Sequence, residues 1–230
     1  MAHRIGLVLA FLLVFIGCAT PATYTAENID ARVVDSVTKQ PIPGALVVAM
    51  WTLVRYNEYS TVGVLKVEEA VTDEFGRFHI SGWGPLPRPS SGVLDVLDPQ
   101  FVVFKHGYLL GHASNYNASV PVHTRVDASI RTSNWNGRDI ELEPDKGDQR
   151  RYRASFVGAF GALDRFIYSS ADCKWKQFPK MVHAFEKERI YQRSVTGKPY
   201  DEVIPDLKGM LASPQCQPTA EFLRAYDEVR

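Results

Sequence analysis

The chain is short of the residues that usually advertise chemistry. Three cysteines, Cys18, Cys173 and Cys216, are spread over 230 residues, and none has a second cysteine at C-x-x-C spacing. That pattern does not suit a thiolate metal site. Charge of one sign is also missing: 26 Lys and Arg stand against 26 Asp and Glu. Such a balance gives no field to draw in nucleic acid or an anionic membrane surface, so no nucleic-acid partner is expected. No G-x-S-x-G, no G-x-G-x-x-G and no P-loop occurs, and no cofactor and no resident metal are expected. What remains is an ordinary globular composition, 45% hydrophobic and 23% charged, long enough for one large or two small domains.

The N-terminus reads as a targeting segment. His3 and Arg4 precede an apolar run from Ile5 to Ile16, which is short for a bilayer span and suits a signal-peptide core. Losing residues 1–17 removes only Arg4 and leaves 25 basic against 26 acidic side chains. "FIGC", residues 15–18, resembles the bacterial lipobox, with Phe15 where Leu is commonest. That resemblance implies lipid modification at Cys18 and a membrane-anchored lipoprotein in the bacterial cell envelope, facing the periplasm. Ala19 follows the cysteine, where many lipoproteins kept at the inner membrane carry Asp, so the outer membrane is the expected destination. An ordinary cleavage site within Ala19 to Ala22, or an uncleaved anchor helix, stays open. In that oxidising setting Cys173 and Cys216 remain as a pair. A disulfide between them would close a loop of about 40 residues, worth roughly 4 kcal/mol by chain entropy. Two free thiols are the alternative.

Two halves differ in texture. From Ile29 to Pro144 short alternating runs rich in Val, Thr and aromatics are separated by Gly and Pro turns, as in an all-β domain. Ala45 to Leu53 is a continuous apolar run, expected for a strand buried on both faces. Leu65, Val67 and Val71 share one phase, with Lys66, Glu68 and Ala70 on the other. "TDEFGRF", residues 72–78, reads as a tight turn: Asp73 accepts backbone N–H groups and Gly76 supplies a positive φ. "GPLPRPSSG", 84–92, is expected to be a loop outside any sheet centre. "FVVFKHGY" is a strand ending in a glycine turn, and 122–130 and 138–142 complete about seven strands. These need two packed layers.

"EPDKGDQR", 143–150, is polar and reads as a linker, drawn at 145–150. Beyond it the apolar spacing turns helical. Phe156, Phe160, Leu163 and Ile167 recur at three- and four-residue steps. Pro179 suits a first helical turn before Val182, Phe185 and Ile190. Residues 200–211 form a weaker helix, and Thr219 opens a last one. Gly158 and Gly161 are expected to allow close packing. About 80 residues of helix make a marginal core alone, so docking on the sheets and the disulfide should both matter.

"ARVVDSVTKQPIPGALVVA" followed by "VTDEFGRFHI" resembles the carboxypeptidase regulatory-like domain family. Val33 and Asp35 match its first motif. Thr38, Pro41, Ile42, Gly44 and Ala45 match the second, and Thr72, Asp73, Gly76 and Phe78 the third. Ala31 and Lys39 stand where that family usually has glycine. "FKHGY", 104–108, is similar to a further segment of such domains. The resemblance covers residues 29–144. It implies a seven-stranded transthyretin-like (prealbumin-like) β-sandwich, followed here by a small α-helical C-terminal region, 151–230. The expected order is signal peptide 1–17, tether 18–28, sandwich 29–144, linker 145–150 and helices. Asp73, Gly76, Phe78, Pro41 and Gly44 are expected as structural turn residues.

Candidate sites are few. The one H-x-x-E, His183 with Glu186, would share a helix face as a metal pair needs, but no third ligand is placed beside it. His106, His112 and His123 are scattered and read as structural or exposed. Trp51, Tyr56, Tyr59, Trp83 and Tyr108 are candidate ligand-binding aromatics at one end of the sandwich, or else core fillers and caps. The sequence therefore points to a non-enzymatic envelope lipoprotein whose β-sandwich presents loops to a protein or peptide partner. A glycan-binding module using loop aromatics, and a small metal-dependent enzyme using His183 and Glu186 or the strand histidines, are the alternatives.

Overall fold

A computed structural model describes residues 22–55, 57, 58, 60–117, 128–168, 173–198, 200, 204, 216 and 219–226. The expected signal peptide, Cys18, Tyr56, Tyr59, His123 and most of 200–211 lie outside the described residues. Among the described residues eleven strands are formed: β1 (Thr23–Ala26), β2 (Ile29–Asp35), β3 (Leu46–Arg55), β4 (Ser60–Val71), β5 (Arg77–Ile80), β6 (Trp83–Pro87), β7 (Val93–Leu94), β8 (Gln100–Phe104), β9 (Gly111–Ala113), β10 (Ile130–Arg131) and β11 (Asp139–Leu142). Helices α1 (Gln149–Tyr168), α2 (Pro179–Thr196) and α3 (Thr219–Arg224) follow. The class is mainly β with a helical C-terminal region, as expected. The strand number exceeds seven because several short edge segments pair separately.

The strands form three sheets, ordered β10-β1-β6, β11-β2-β5 and β4-β3-β8-β9, with β7 also on β3. The large sheet is buried on both faces, which explains the uninterrupted apolar run of β3. Val47, Ala49, Trp51 and Leu53 point into a core shared with the two smaller sheets, together with Phe101 and Val103 of β8. The alternate residues Leu46, Val48, Met50, Val102 and Phe104 point the other way, into a second core built with the helices. The period of two splits one hydrophobic strand between two layers.

β4 departs from its expected phase. Pairing with β3 slips at Trp51/Thr52, where Lys66 faces Trp51 and Val64 faces Thr52, leaving Leu65 as an extra residue. A bulge reverses which face each side chain takes. Val64 and Val67 therefore enter the helical core, while Leu65 packs against the sandwich core. Residues 84–87 also correct their expectation. They join a sheet as β6, on its edge, where proline is tolerated.

The two turn motifs clasp each other. Thr72 Oγ1 donates to the Ile42 carbonyl and accepts from Ala45 N–H, each at 2.7 Å. Asp73 Oδ1 accepts from the N–H groups of Phe75 at 2.9 Å and Arg77 at 2.8 Å. Those bonds, the one from Arg77 N–H foremost, hold the Asp73 carboxyl below its usual range. Gly76 has φ +71, and a Cβ there would lie 2.5 Å from the Val33 carbonyl oxygen. Lys39, standing where the resembling family has glycine, takes φ +58.

The helices pack on the open face of the large sheet. Phe104 meets Phe156 of α1 and Phe185 of α2 edge-on, at centroid distances of 6.1 and 5.5 Å. Each fully buried phenylalanine contributes about 1.5–3 kcal/mol, so this contact alone ties the halves together. The segment 145–150 is docked: Asp145 N–H donates to the Gly107 carbonyl at 2.9 Å, and Asp148 Oδ1 caps α1 through Arg150 and Arg151 N–H. Cys173 and Cys216 are disulfide-bonded, with Cα atoms 5.5 Å apart. Gly158 and Gly161 do not serve close packing; a Cβ on either would meet nothing within 4 Å. Among the described residues, no helix is long and apolar enough to cross a membrane.

Candidate functional site: a basic cleft between sheet and helix

β8 ends at Phe104, and Gly107, at φ +86, turns the chain back. That turn leaves Lys105 and His106 at the rim of the large sheet, facing α2. The helix starts at Pro179, which suits a first-turn position. Its first N–H groups are met from the sheet: Glu69 of β4 accepts from Lys180 N–H at 3.2 Å and Met181 N–H at 2.7 Å. Burial pushes the Glu69 carboxyl up to about 6, against the two N–H bonds that favour its charge.

Between these elements lies a cleft of about 280 Å³. Leu46, Phe104 and Ala184 give it an apolar wall, and Lys105, Lys180 and Lys187 bring three ammonium groups. This is just under the ~300–1,000 Å³ of ordinary ligand pockets, so it suits a small molecule. Lys105 is folded over Gly44, its Nζ 3.1 Å from where a Cβ would stand. Among the described residues Lys105 forms no ion pair.

His106 and Glu188 both line the cleft. His106 Nδ1 lies 2.8 Å from Glu188 Oε2. The Glu188 side chain is 3% exposed, whereas that of His106 is 58% exposed. Tyr152 O–H of α1 donates to Glu188 Oε1 at 2.6 Å, and Gln192 Nε2 donates to the same oxygen at 2.8 Å. Burial, then the bond to Glu188, pushes the Tyr152 hydroxyl far up, so it is a neutral donor. Tyr191 meets the His106 ring edge-on at 4.6 Å. The imidazole is thereby held in one orientation. With Nδ1 turned to the buried carboxylate, Nε2 is the ring nitrogen left for other partners.

The expected site residues fall elsewhere. Trp51 is fully buried and Trp83 nearly so, stacked edge to face 5.3 Å apart in the sandwich core. Tyr108 donates to Asp35 Oδ2 at 3.2 Å, beside the turn where that carboxylate also accepts Val37 and Thr38 N–H. The aromatics described do not form a surface. Pro41 bridges to Val34, and Gly44 has φ +68. Phe78 is core. Glu186 forms a buried pair with Arg189, 2.9 Å, and His183 lines the cleft wall. Among the described residues no group of three His, Cys, Asp or Glu could hold a metal ion. A second groove, along Asp30, Arg32, Asp73, Arg77, His79 and Asp139, is wide and open. Within it Arg32 pairs with Asp139 and Arg77 with Asp73, and His79 Nδ1 lies 2.8 Å from Asp30 Oδ1.

No family model matches the chain. No curated protein matches it either. Solved structures do. The 3-chlorocatechol 1,2-dioxygenase of Rhodococcus opacus 1CP is 15% identical over 54% of this chain and 61% of that one, with a TM-score of 0.31. The pilus 2b backbone protein of group B streptococcus is 13% identical over 53% and 42%, TM-score 0.28. The dioxygenase domain of a carbohydrate-binding fusion from Streptomyces sp. SirexAA-E is 14% identical over 56% and 84%, TM-score 0.29. The chain spans less than two thirds of the first two. At these values no fold type and no activity passes to this chain. The comparisons do correct one expectation. The non-enzymatic reading rested on the sandwich together with a lack of catalytic motifs. A sandwich fold does not decide between catalysis and binding, and with dioxygenases among the similar structures the non-enzymatic reading is withdrawn.

Proposed function

We propose that the cleft between the large sheet and α2 binds a small organic anion. The observation that carries this is Lys105: an ammonium without an ion pair among the described residues, set over an apolar wall. The one carboxylate lining the cleft, Glu188, already accepts three donors and does not neutralise it. An anion with a short apolar body satisfies both features. Calorimetric titration of succinate and benzoate into the purified chain tests this. Saturable binding is expected, at least tenfold weaker in Lys105→Ala with an unchanged melting temperature. Absence of saturable heat, or wild-type affinity in the variant, would refute it.

We infer further that residues 29–144 are a divergent carboxypeptidase regulatory-like domain. The Thr72 clasp between its two turn motifs and the positive φ of Lys39 support this. Lipid modification at Cys18, with tethering in the envelope at the outer membrane, rests on the "FIGC" stretch. Labelled palmitate should enter the wild-type chain and not Cys18→Ala; incorporation into both would remove the tether.

A further inference from the structure

The proposal rests on the anion-binding reading of the same cleft and adds a reaction. We propose that His106 is the general base of a hydrolase acting on carboxylic esters that carry an anionic group, with Glu188 as its positioning residue. The geometry is that of an oriented base. A buried carboxylate holds one imidazole nitrogen at 2.8 Å, a tyrosine ring packs edge-on against the imidazole, and the side chain, 58% exposed, lines the cleft. Such a pairing gives one tautomer and stabilises the imidazolium that forms when a proton is taken.

Among the described lining residues there is no serine, threonine or cysteine. The only side-chain hydroxyl among those lining residues is the phenol of Tyr191, whose ring packs edge-on against His106, so the nucleophile proposed for this base is water. In the step, the water oxygen bonds to the ester carbonyl carbon as its proton moves to His106 Nε2. The tetrahedral oxyanion develops in a cleft with three lysines, which favour the added negative charge. Collapse breaks the bond to the leaving oxygen, and His106 returns the proton to it. Acid and alcohol are the products, and no co-reactant beyond water is consumed. The apolar wall of Leu46, Phe104 and Ala184 takes the chain between ester and anionic group.

The experiment uses the purified chain and two probes. One is the para-nitrophenyl half-ester of succinate, read as release of nitrophenol. The other is succinamate, which is not cleaved, read by calorimetry. Saturable turnover is expected. His106→Gln should lower kcat about 100-fold or more, in the range general bases contribute, while succinamate affinity stays within about threefold. His106→Gly should regain rate with added imidazole, which a purely structural role would not produce. Glu188→Gln should lower kcat with KM unchanged. Succinamate binding without turnover above buffer, or wild-type turnover in His106→Gln, would overturn the hydrolase and leave the anion site standing. Absence of succinamate binding would remove the anion site itself, and the hydrolase with it.

Discussion

Nδ1 of His106 lies 2.8 Å from Oε2 of Glu188, although 82 residues separate them in the chain. The bond joins the loop after β8 to α2, and the same carboxylate takes the Tyr152 hydroxyl from α1. One buried side chain thus ties the sandwich to both long helices. Glu188→Ala would strand the buried donors of Tyr152 and Gln192, at roughly 1–3 kcal/mol for each unsatisfied group. A loss of about 2–6 kcal/mol is expected in urea unfolding. Glu188→Gln keeps an acceptor for Tyr152 and should lose clearly less. Equal losses in the two variants would show that volume, not hydrogen bonding, matters at this position.

At Gly76 two penalties coincide. The residue has φ +71, and a Cβ would sit 2.5 Å from the Val33 carbonyl oxygen, which is backbone and cannot swing away. Gly76→Val should cost more than about 2 kcal/mol, the left-handed penalty plus the displaced strand β2. Gly147 is the control. Its φ is +81, but a Cβ there meets nothing within 4 Å. Gly147→Ala should cost only about 1 kcal/mol. Similar melting temperatures for the two variants would refute the role assigned to the Val33 contact.

These contrasts show what the sequence makes legible. Asp73, Gly76 and Lys39 are turn positions, and a turn is decided by a few adjacent residues. They could be read locally, as could the two-sided burial of β3 from its unbroken apolar run. The phase of β4 could not, because the extra residue at Leu65 shows only when β4 is paired with β3. Residues 84–87 were hidden for a related reason: proline excludes a central strand but permits an edge, and edges are set by topology. The site was the least legible part. The His and Glu that the sequence sets close together are His183 and Glu186, three residues apart on one helix. The pair that the fold assembles is His106 with Glu188, from different layers. The glycine turn in "FKHGY" signalled where His106 would be exposed, but nothing local named its partner.

The disulfide closes the helical region across a sequence separation of 43. Chain entropy assigns such a loop about 4 kcal/mol. Reduction with dithiothreitol should lower the urea midpoint accordingly, with Trp175, buried among the helices, as the fluorescent reporter. A loss below about 1 kcal/mol would mean that the contacts of Phe104, Phe156 and Phe185 hold the region without the cross-link.

Glu69 gives the fold a pH dependence whose sign can be worked out. Its carboxyl is raised from 4.5 to about 6, chiefly by burial between β4 and the start of α2. Between those values the folded chain holds a proton that the unfolded chain has lost. Stability from this group is then fully present below about pH 4.5 and is lost as pH rises through 6. Asp35 and Asp73 act in the opposite direction, since hydrogen bonds from backbone N–H groups hold both below their usual range. Their contribution is lost only in stronger acid, below the Glu69 window. Glu69→Gln keeps an oxygen for one of the two N–H groups, which different carboxylate oxygens accept, and cannot titrate, so its loss is the same at every pH. Urea midpoints measured from pH 4.5 to 7 should therefore fall more in the wild type than in Glu69→Gln. Parallel curves would place the titrating group elsewhere.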